Sequence, residues 1–361
     1  MDIVGFDRQI FTIQKYGGIS RYFSDLYLGL IARNDIKAKL LFSRHQNAYL
    51  GGQGIGANIT PLAAKFYIKA MRMWNCPMPI SKATDIYHST YYLGVPKKSE
   101  GKGKLVSSLY DMIPELLPKY FTKNPHANKL KWFEASDLII SISDSAADDL
   151  AFIQPSMANR IHRIHLYSGF SAESPQSRPA SLPKEQRPFV LFIGKRDGYK
   201  NSSLLLRAFA ASLPCKHGHQ LLFAGGGVFS STEQADIARL SLAAHVRQID
   251  VTDSNLWYLY RNASAVLVPS IAEGFSLPLV EGLTADVPVI CSDISVHREV
   301  AGEFAQLVNP INHQDWTDIL GSIQKIKRPS DHLGENQYSK LCTYYSRERM
   351  VEEHIEAYRT I

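Results

Sequence analysis

The chain has 361 residues, 45% hydrophobic and 20% charged, which excludes a disordered chain and allows two domains of about 150–200 residues. Its net charge of +6 comes from scattered Lys and Arg, with no basic run interleaved with aromatics, so nucleic acid is not expected, while phosphate-bearing ligands or anionic membrane surfaces are compatible with it. The isolated cysteines Cys76, Cys215, Cys291 and Cys342 argue against a disulfide framework or a zinc site. With no signal-type N-terminus and no run of about 18–20 apolar residues, they place the chain in the cytoplasm.

In the first half, SRYFSDLYLGLIAR (20–33) reads as a helix and AKLLF (38–42) as a strand. GGQGIGA (51–57) matches GxGxxA formally, but no buried strand precedes it and Pro61 soon follows, so it reads as a loop. PLAAKFYIKAMRMW (61–74) puts Leu62, Phe66, Ala70 and Met73 on one helical face and Lys65, Lys69 and Arg72 on another. That pattern suits a membrane-surface helix, and it suits equally a helix packed on its own core. Strands follow at DIYHS (85–89), KLVSSLYD (104–111), LIISIS (138–143) and RIHLYS (163–168), with a helix at SDSAADDLAFI (143–153).

SAESPQSRPASLPKEQRP (171–188) is rich in Ser and Pro and reads as a linker. Beyond it come PFVLFIG (188–194), HQLLFAG (219–225), SAVLVPS (264–270) and VPVICS (287–292). Such short strands, apolar on both faces, belong to parallel sheets covered by helices. SRERMVEEHIEAYRTI (346–361) is a helix. The expectation is an α/β chain with two doubly wound domains, 1–170 and 189–345, facing a central cleft where a ligand sits at the strands' C-terminal ends.

One stretch carries chemistry. AEGFSLPLVEG (272–282) follows a strand; Gly274 breaks it, Ser276 is placed as an N-cap, and Pro278 suits a first helical turn. Glu273 then lies on the loop and Glu281 inside the helix. The amides of Phe275, Ser276 and Leu277 make an anion site between two carboxylates able to accept hydroxyls, an order that fits a nucleotide sugar. The plainer alternative is that Glu281 complements the helix dipole and Glu273 is a solvated loop residue.

E-GFSLPLV-E resembles the EX7E motif of retaining GT-B glycosyltransferases of family 4. The likeness extends over 260–302, and QKYGGISRYF (14–23), DIYHSTYY (85–92), YDMIPE (110–115) and SISDSAADDL (141–150) resemble further landmarks of that family. The resemblance implies a GT-B fold of two Rossmann-like domains, with the last helix packing back on the N-terminal one. It implies that Glu273 binds donor-sugar hydroxyls and Glu281 the ribose, with Phe275, Ser276 and Leu277 at the sugar and diphosphate. Arg196 and Lys200 would stabilise the leaving diphosphate. Gly17 and Gly18 would bring backbone amides to the donor phosphate. His88, read as following a strand and facing the cleft, would contact the sugar near the reaction centre; a structural histidine is the alternative. Asp111 and Arg21 would lie on the acceptor side, unless Asp111 only forms the turn before IPE.

The sequence departs from the family at Ser276, where Gly is usual, and in an Arg-to-Lys spacing of four rather than five. Lys195 fits the longer spacing, and Arg196 is preferred. No DxD triplet occurs, so metal-independent transfer is expected, with no cofactor. The implied reaction moves a hexose, mannose first, from a nucleotide-diphosphate donor to a saccharide or lipid-linked saccharide of the bacterial surface, with retention of configuration and possible peripheral membrane contact through 61–74. A non-catalytic nucleotide-sugar binder with the same fold is the competing class. An NAD-type oxidoreductase lacks its fingerprint after a first strand.

Overall fold

The computed structural model describes residues 2–73, 77–80, 83–97, 103–171, 173–182, 187–196 and 198–361. Trp74 and Cys76 lie outside these residues. The chain forms two compact units, Met1–Leu166 with Ser346–Ile361, and Tyr167–Tyr345.

The N-terminal unit holds a six-stranded parallel sheet. Its strands are β1 (Ile3–Phe6), β2 (Lys37–Leu40), β3 (Ile86–Ser89), β4 (Lys104–Leu109), β5 (Leu138–Ser141) and β6 (Ile161–Arg163), in spatial order β6-β5-β4-β3-β1-β2. β3 and β5 are buried at every position, as two-sided burial in a covered parallel sheet requires. Helix α1 (Gly18–Ile31) follows β1, and α2 (Pro61–Met73) precedes β3. α2 buries Ala64 and Met71 but leaves Leu62 63% and Phe66 65% exposed, so its apolar stripe is only partly packed on its own unit. The GGQGIGA stretch opens inside a short helix, Ala48–Gly52. Gly54 and Gly56 then turn the chain at φ 70° and 74°, in no dinucleotide-loop context.

The C-terminal unit holds a second parallel sheet: β7 (Phe189–Ile193), β8 (Gln220–Ala224), β9 (Val246–Ile249), β10 (Ala265–Val268), β11 (Val289–Ser292) and β12 (Gln306–Val308), in order β9-β8-β7-β10-β11-β12. Val190, Phe192, Phe209, Phe223, Leu267 and Trp316 are among the residues that fill its core. Helix α3 (Leu277–Thr284) joins β10 to β11, and α4 (Ser295–Ala301) follows β11.

The segment expected as a linker belongs to this second unit. Ser177 N–H donates to Ser254 O at 3.2 Å, and Asn255 Nδ2 donates to Ser177 O at 2.9 Å. These bonds tie the segment to the start of helix Asp253–Asn262. Serine content read as flexibility instead supplies hydrogen bonds.

The final helix α5 (Arg347–Tyr358) is part of the N-terminal unit and packs on α1. A Cβ at Gly29 would come within 2.4 Å of Val351 Cγ2, so the glycine permits this close helix contact.

Candidate functional site

In each sheet the strand order reverses once, and ligands of doubly wound folds bind beyond the carboxyl ends of the strands at that point. In the C-terminal unit the reversal falls between β7 and β10. The loop after β7 carries Lys195, Arg196 and Lys200; the loop after β10 carries Ser270 and Glu273. Ile271 N–H donates to Tyr199 O at 2.7 Å and joins the two loops. Asn201, at φ 59°, donates through Nδ2 to Pro269 O at 3.1 Å and Pro310 O at 2.8 Å, which fixes the turn that presents Lys200.

Lys200 Nζ lies 2.6 Å from Glu273 Oε1, and Ser270 Oγ donates to the same oxygen at 2.7 Å. Burial pushes the Glu273 carboxyl up, but the Lys200 charge and hydrogen bond, with His297 and Ser270, outweigh it and hold it below its ordinary value. Glu273 is thus an ionised, nearly buried carboxylate bound to a cation that keeps 24% of its side chain exposed. It is not a solvated loop residue.

Eight residues on, Glu281 is buried within α3 and accepts from Tyr260 OH at 2.6 Å. Phe275 is buried with its ring edge on Tyr345, and Leu277 opens the helix. Ser276 occupies the N-cap position at φ 88°, ψ 74°, and its side chain makes no cap bond, contrary to the capping role expected of it. Its dihedrals are left-handed, whereas a capping serine needs an extended backbone.

Arg196 differs from the expectation. Its guanidinium is buried, and it donates through Nε to Glu233 Oε1 at 2.5 Å, through Nη1 to Gly225 O at 3.1 Å, and through Nη2 to Gly227 O and Val228 O at 2.9 and 3.1 Å. Gly225, Gly226 and Gly227 all have φ above 70°, and a Cβ at Gly226 would stand 2.5 Å from Gly194 O. Arg196 is therefore the pin around which the loop after β8 folds. Its donors are engaged inside the protein, and Lys195, one residue earlier, is the exposed cation.

His88 is also corrected. It lies within β3, fully buried, with Nδ1 2.7 Å from Tyr358 OH and Nε2 2.9 Å from Ser108 Oγ. Phe6, Phe23 and His354 surround its ring. Burial, and then the neighbouring His354, push its pKa well below the ordinary value. It is a neutral core histidine, the alternative reading of this residue.

Gly17 caps α1, and Gln14 Oε1 accepts from Ser20 N–H at 3.1 Å, so part of the helix end from Gly18 onward is capped by the chain itself. A Cβ on Gly17 would lie 2.4 Å from that oxygen. Arg21 stands over the Tyr49 ring at 5.2 Å. Asp111 accepts from Ile113 N–H at 3.0 Å, which is the turn-forming role. Lys129, buried beside it, pairs with Glu115 at 2.7 Å. Asp149, near Asp111, is pushed up to about 6 by burial and by Asp148 and Asp111.

Two groups escaped sequence reasoning. Asp7, buried after β1, accepts from Gln9 N–H, Gln9 Nε2, Thr90 Oγ1 and Tyr87 OH at 2.9, 2.7, 2.5 and 3.1 Å. His297 is buried in α4, with Nδ1 2.8 Å from Ser292 O. Its Nε2, Ser292 Oγ and Ser276 Oγ are buried without a hydrogen-bond partner. Asp7 sits in no motif; His297 lies within the 260–302 stretch of family likeness, but nothing in its spacing singles it out.

The two six-stranded doubly wound units define the GT-B class of fold. Its likeness to the Anabaena Alr3699/HepE structure in complex with UDP and glucose has a TM-score of 0.71 at 16% identity, covering 100% of both chains. Residues 173–340 match the family model described as glycosyl transferases group 1. The chain is 27% identical over 242 residues to O-antigen chain mannosyltransferase B of Escherichia coli, covering 62% of this chain and 61% of that protein. It is 38% identical over 77 residues to O-antigen chain mannosyltransferase RfbU of Salmonella typhimurium, covering 21% and 22%. These alignments span less than two thirds of the relatives' length. Residues 173–340, just under half of the chain, thus match the group 1 glycosyl transferases, and the two units carry the GT-B fold.

Proposed function

We propose that the chain transfers a hexose, mannose first, from a nucleotide-diphosphate sugar to a hydroxyl of a bacterial surface saccharide. The observation that carries this reading is the ionised Glu273–Lys200 pair at the strand-order reversal of the C-terminal unit. Glu273 accepts sugar hydroxyls, Glu281 the ribose hydroxyls, and the amides at the start of α3 meet the diphosphate. Lys200, with the exposed Lys195, neutralises the charge that grows on the leaving diphosphate without a metal ion. The departing diphosphate takes the acceptor proton on the same face, so configuration is retained. The names of the mannosyltransferase relatives favour mannose.

Features of the N-terminal unit suit an anionic or lipid-linked acceptor. A pocket of about 820 Å³ is lined by Lys65, Lys69 and Lys123 over Tyr92 and Leu93, beside the exposed Leu62 and Phe66 of α2. No helix among the described residues is long and apolar enough to cross a membrane, so we infer peripheral contact through α2. Sedimentation with phosphatidylglycerol vesicles tests this, and equal recovery with neutral vesicles removes the charge argument.

Melting the protein with GDP, UDP, dTDP and ADP tests the nucleotide site. A ligand at 100 times its Kd stabilises by roughly 2.7 kcal/mol. One nucleotide alone should raise the midpoint, GDP first; no response from any nucleotide or intact nucleotide sugar overturns the reading. Proton NMR of the product reports the anomer, and chelator should leave the rate unchanged.

A further inference from the structure

We propose that the Ser276 side chain is the sugar-reading group of this site: its hydroxyl binds a ring hydroxyl of the donor sugar, and its Cβ limits the space beside that hydroxyl. The proposal rests on the nucleotide-sugar reading above and concerns one atom within it.

Ser276 is one of four non-glycine residues with positive φ among the described residues, with Asn201, Ser241 and Asp286. The side chains of two others hold structure together. Asn201 Nδ2 bridges two carbonyls, and the Asp286 carboxylate accepts from Ser330 N–H and Oγ at 2.9 and 2.8 Å. Ser276 has no such bond: it is 5% exposed, and its Oγ is buried without a partner. It does not cap α3, because the amides of Leu279 and Val280 are met by its backbone oxygen instead, at 3.2 and 3.4 Å.

A left-handed backbone favours glycine, and a buried hydroxyl without a partner is disfavoured. The chain carries both disadvantages at one residue, three positions after Glu273 and five before Glu281, and no internal hydrogen bond offsets either. Backbone strain of this kind is an observation from which function can be inferred. With the Leu279 and Val280 amides bonded and Pro278 lacking an N–H, the Ser276 and Leu277 amides are those left for a phosphate, and the unpartnered hydroxyl beside them leaves a group for a sugar. A step to another staggered χ1 well moves Oγ without moving the backbone. A site that hydrogen-bonds a substrate hydroxyl rejects the analogue lacking it far more strongly than an apolar pocket can.

The test compares wild type with Ser276→Ala and Ser276→Gly. For each, the melting midpoint, the affinity for the stabilising nucleoside diphosphate, and kcat/KM for a panel of nucleotide sugars including deoxy-sugar analogues are measured. The nucleotide affinity should not change, and the midpoint of Ser276→Gly should hold or rise as the strain is relieved. The kcat/KM for the best sugar should fall about 10–100-fold in both variants, and one deoxy analogue should lose its disadvantage in them. Only Ser276→Gly should gain activity on sugars bulkier at that position. Unchanged sugar preference in both variants overturns the proposal, as does an activity loss that tracks a lower midpoint. Failure of wild type to bind any nucleoside diphosphate or nucleotide sugar instead overturns the function on which it rests.

Discussion

The two parallel sheets differ in strand order, 2-1-3-4-5-6 against 3-2-1-4-5-6 when each is numbered from its own first strand, and they finish their strand-order reversals in opposite ways. In the N-terminal unit the edge between β1 and β3 is largely closed on itself: Asp7 accepts four hydrogen bonds and both nitrogens of His88 are engaged, while Arg8 Nε and Thr12 Oγ1 nearby are buried without a partner. In the C-terminal unit the edge between β7 and β10 holds an ion pair and is adjoined by three buried polar atoms with no protein partner. Buried polar groups are almost always satisfied, so three unsatisfied ones gathered beside an ion pair mark a candidate site in a way that single ones elsewhere, such as Trp132 Nε1, do not. A strand-order reversal thus serves as scaffold in one unit and as a candidate site in the other.

The sharpest way to break this contrast is to remove the charge pair. Glu273→Gln or Lys200→Ala should lower transfer by about 10²–10³-fold, the scale of losing one preorganised electrostatic group; the melting midpoint should change least in Glu273→Gln and fall in Lys200→Ala, which leaves a nearly buried carboxylate unpaired. Nucleotide binding should survive in Glu273→Gln. Transfer that persists at the wild-type rate removes the pair from the site.

Arg196 and Lys195 are neighbours with opposite expected behaviour. Arg196→Ala leaves Glu233 and three loop carbonyls without their donor, and should destabilise the C-terminal unit by about 3 kcal/mol. Lys195→Ala should leave stability within about 0.5 kcal/mol and raise KM for the donor several-fold. Urea unfolding and steady-state kinetics on both variants decide between them. If Arg196→Ala is stable and Lys195→Ala kinetically silent, Arg196 regains the diphosphate role.

That pair also shows the limits of the sequence. Strands such as Phe189–Ile193 and Leu138–Ser141 were legible because burial on both faces makes them continuous apolar runs. Gln306–Val308, an edge strand with two exposed positions, carries no such signal. The positions of Glu273 and Glu281 followed from the glycine, the proline and their spacing. The environment of a polar residue did not: Arg196 is committed to carbonyls about thirty residues away, and His88 to Tyr358, 270 positions along the chain. Motif matching locates a residue to within one or two positions, and one position separates the buried arginine from the exposed lysine.

A third comparison tests His88 as scaffold. His88→Leu keeps an apolar side chain in the aromatic cluster but leaves Tyr358 OH and Ser108 Oγ unpaired, so it should destabilise by about 2 kcal/mol. Its kcat/KM per folded molecule should stay within a factor of about three. A loss of 10²-fold at unchanged stability restores the catalytic assignment.

The last comparison is the pH dependence, in which opposing groups partly cancel. Burial holds His88 well below its ordinary pKa and His354 down at about 3, both in the N-terminal unit. A histidine whose folded pKa lies below the unfolded value of 6.5 binds fewer protons in the folded state. Its contribution is therefore present above pH 6.5 and declines as the pH falls toward the folded pKa, by about 1.4 kcal/mol per pH unit for each such group. In the C-terminal unit, Glu273 is depressed, so its contribution is present above its unfolded value of 4.5 and falls only below it. Of the resolved histidine shifts there, His297 alone responds in the intervening range. Between pH 6.5 and 5 this loss in the N-terminal unit is opposed by Asp149, pushed up to about 6, and by Asp7, also raised by burial, since both bind protons more tightly in the folded state. The histidine contribution is therefore read by difference: hydrogen exchange at Ile86–Ser89 and Arg347–Tyr358, relative to Ala265–Val268, should accelerate more in wild type than in His354→Gln. Equal acceleration in wild type and variant would mean that the buried histidine does not govern acid stability, and the contrast between a neutral scaffold and a charged site would lose its energetic basis.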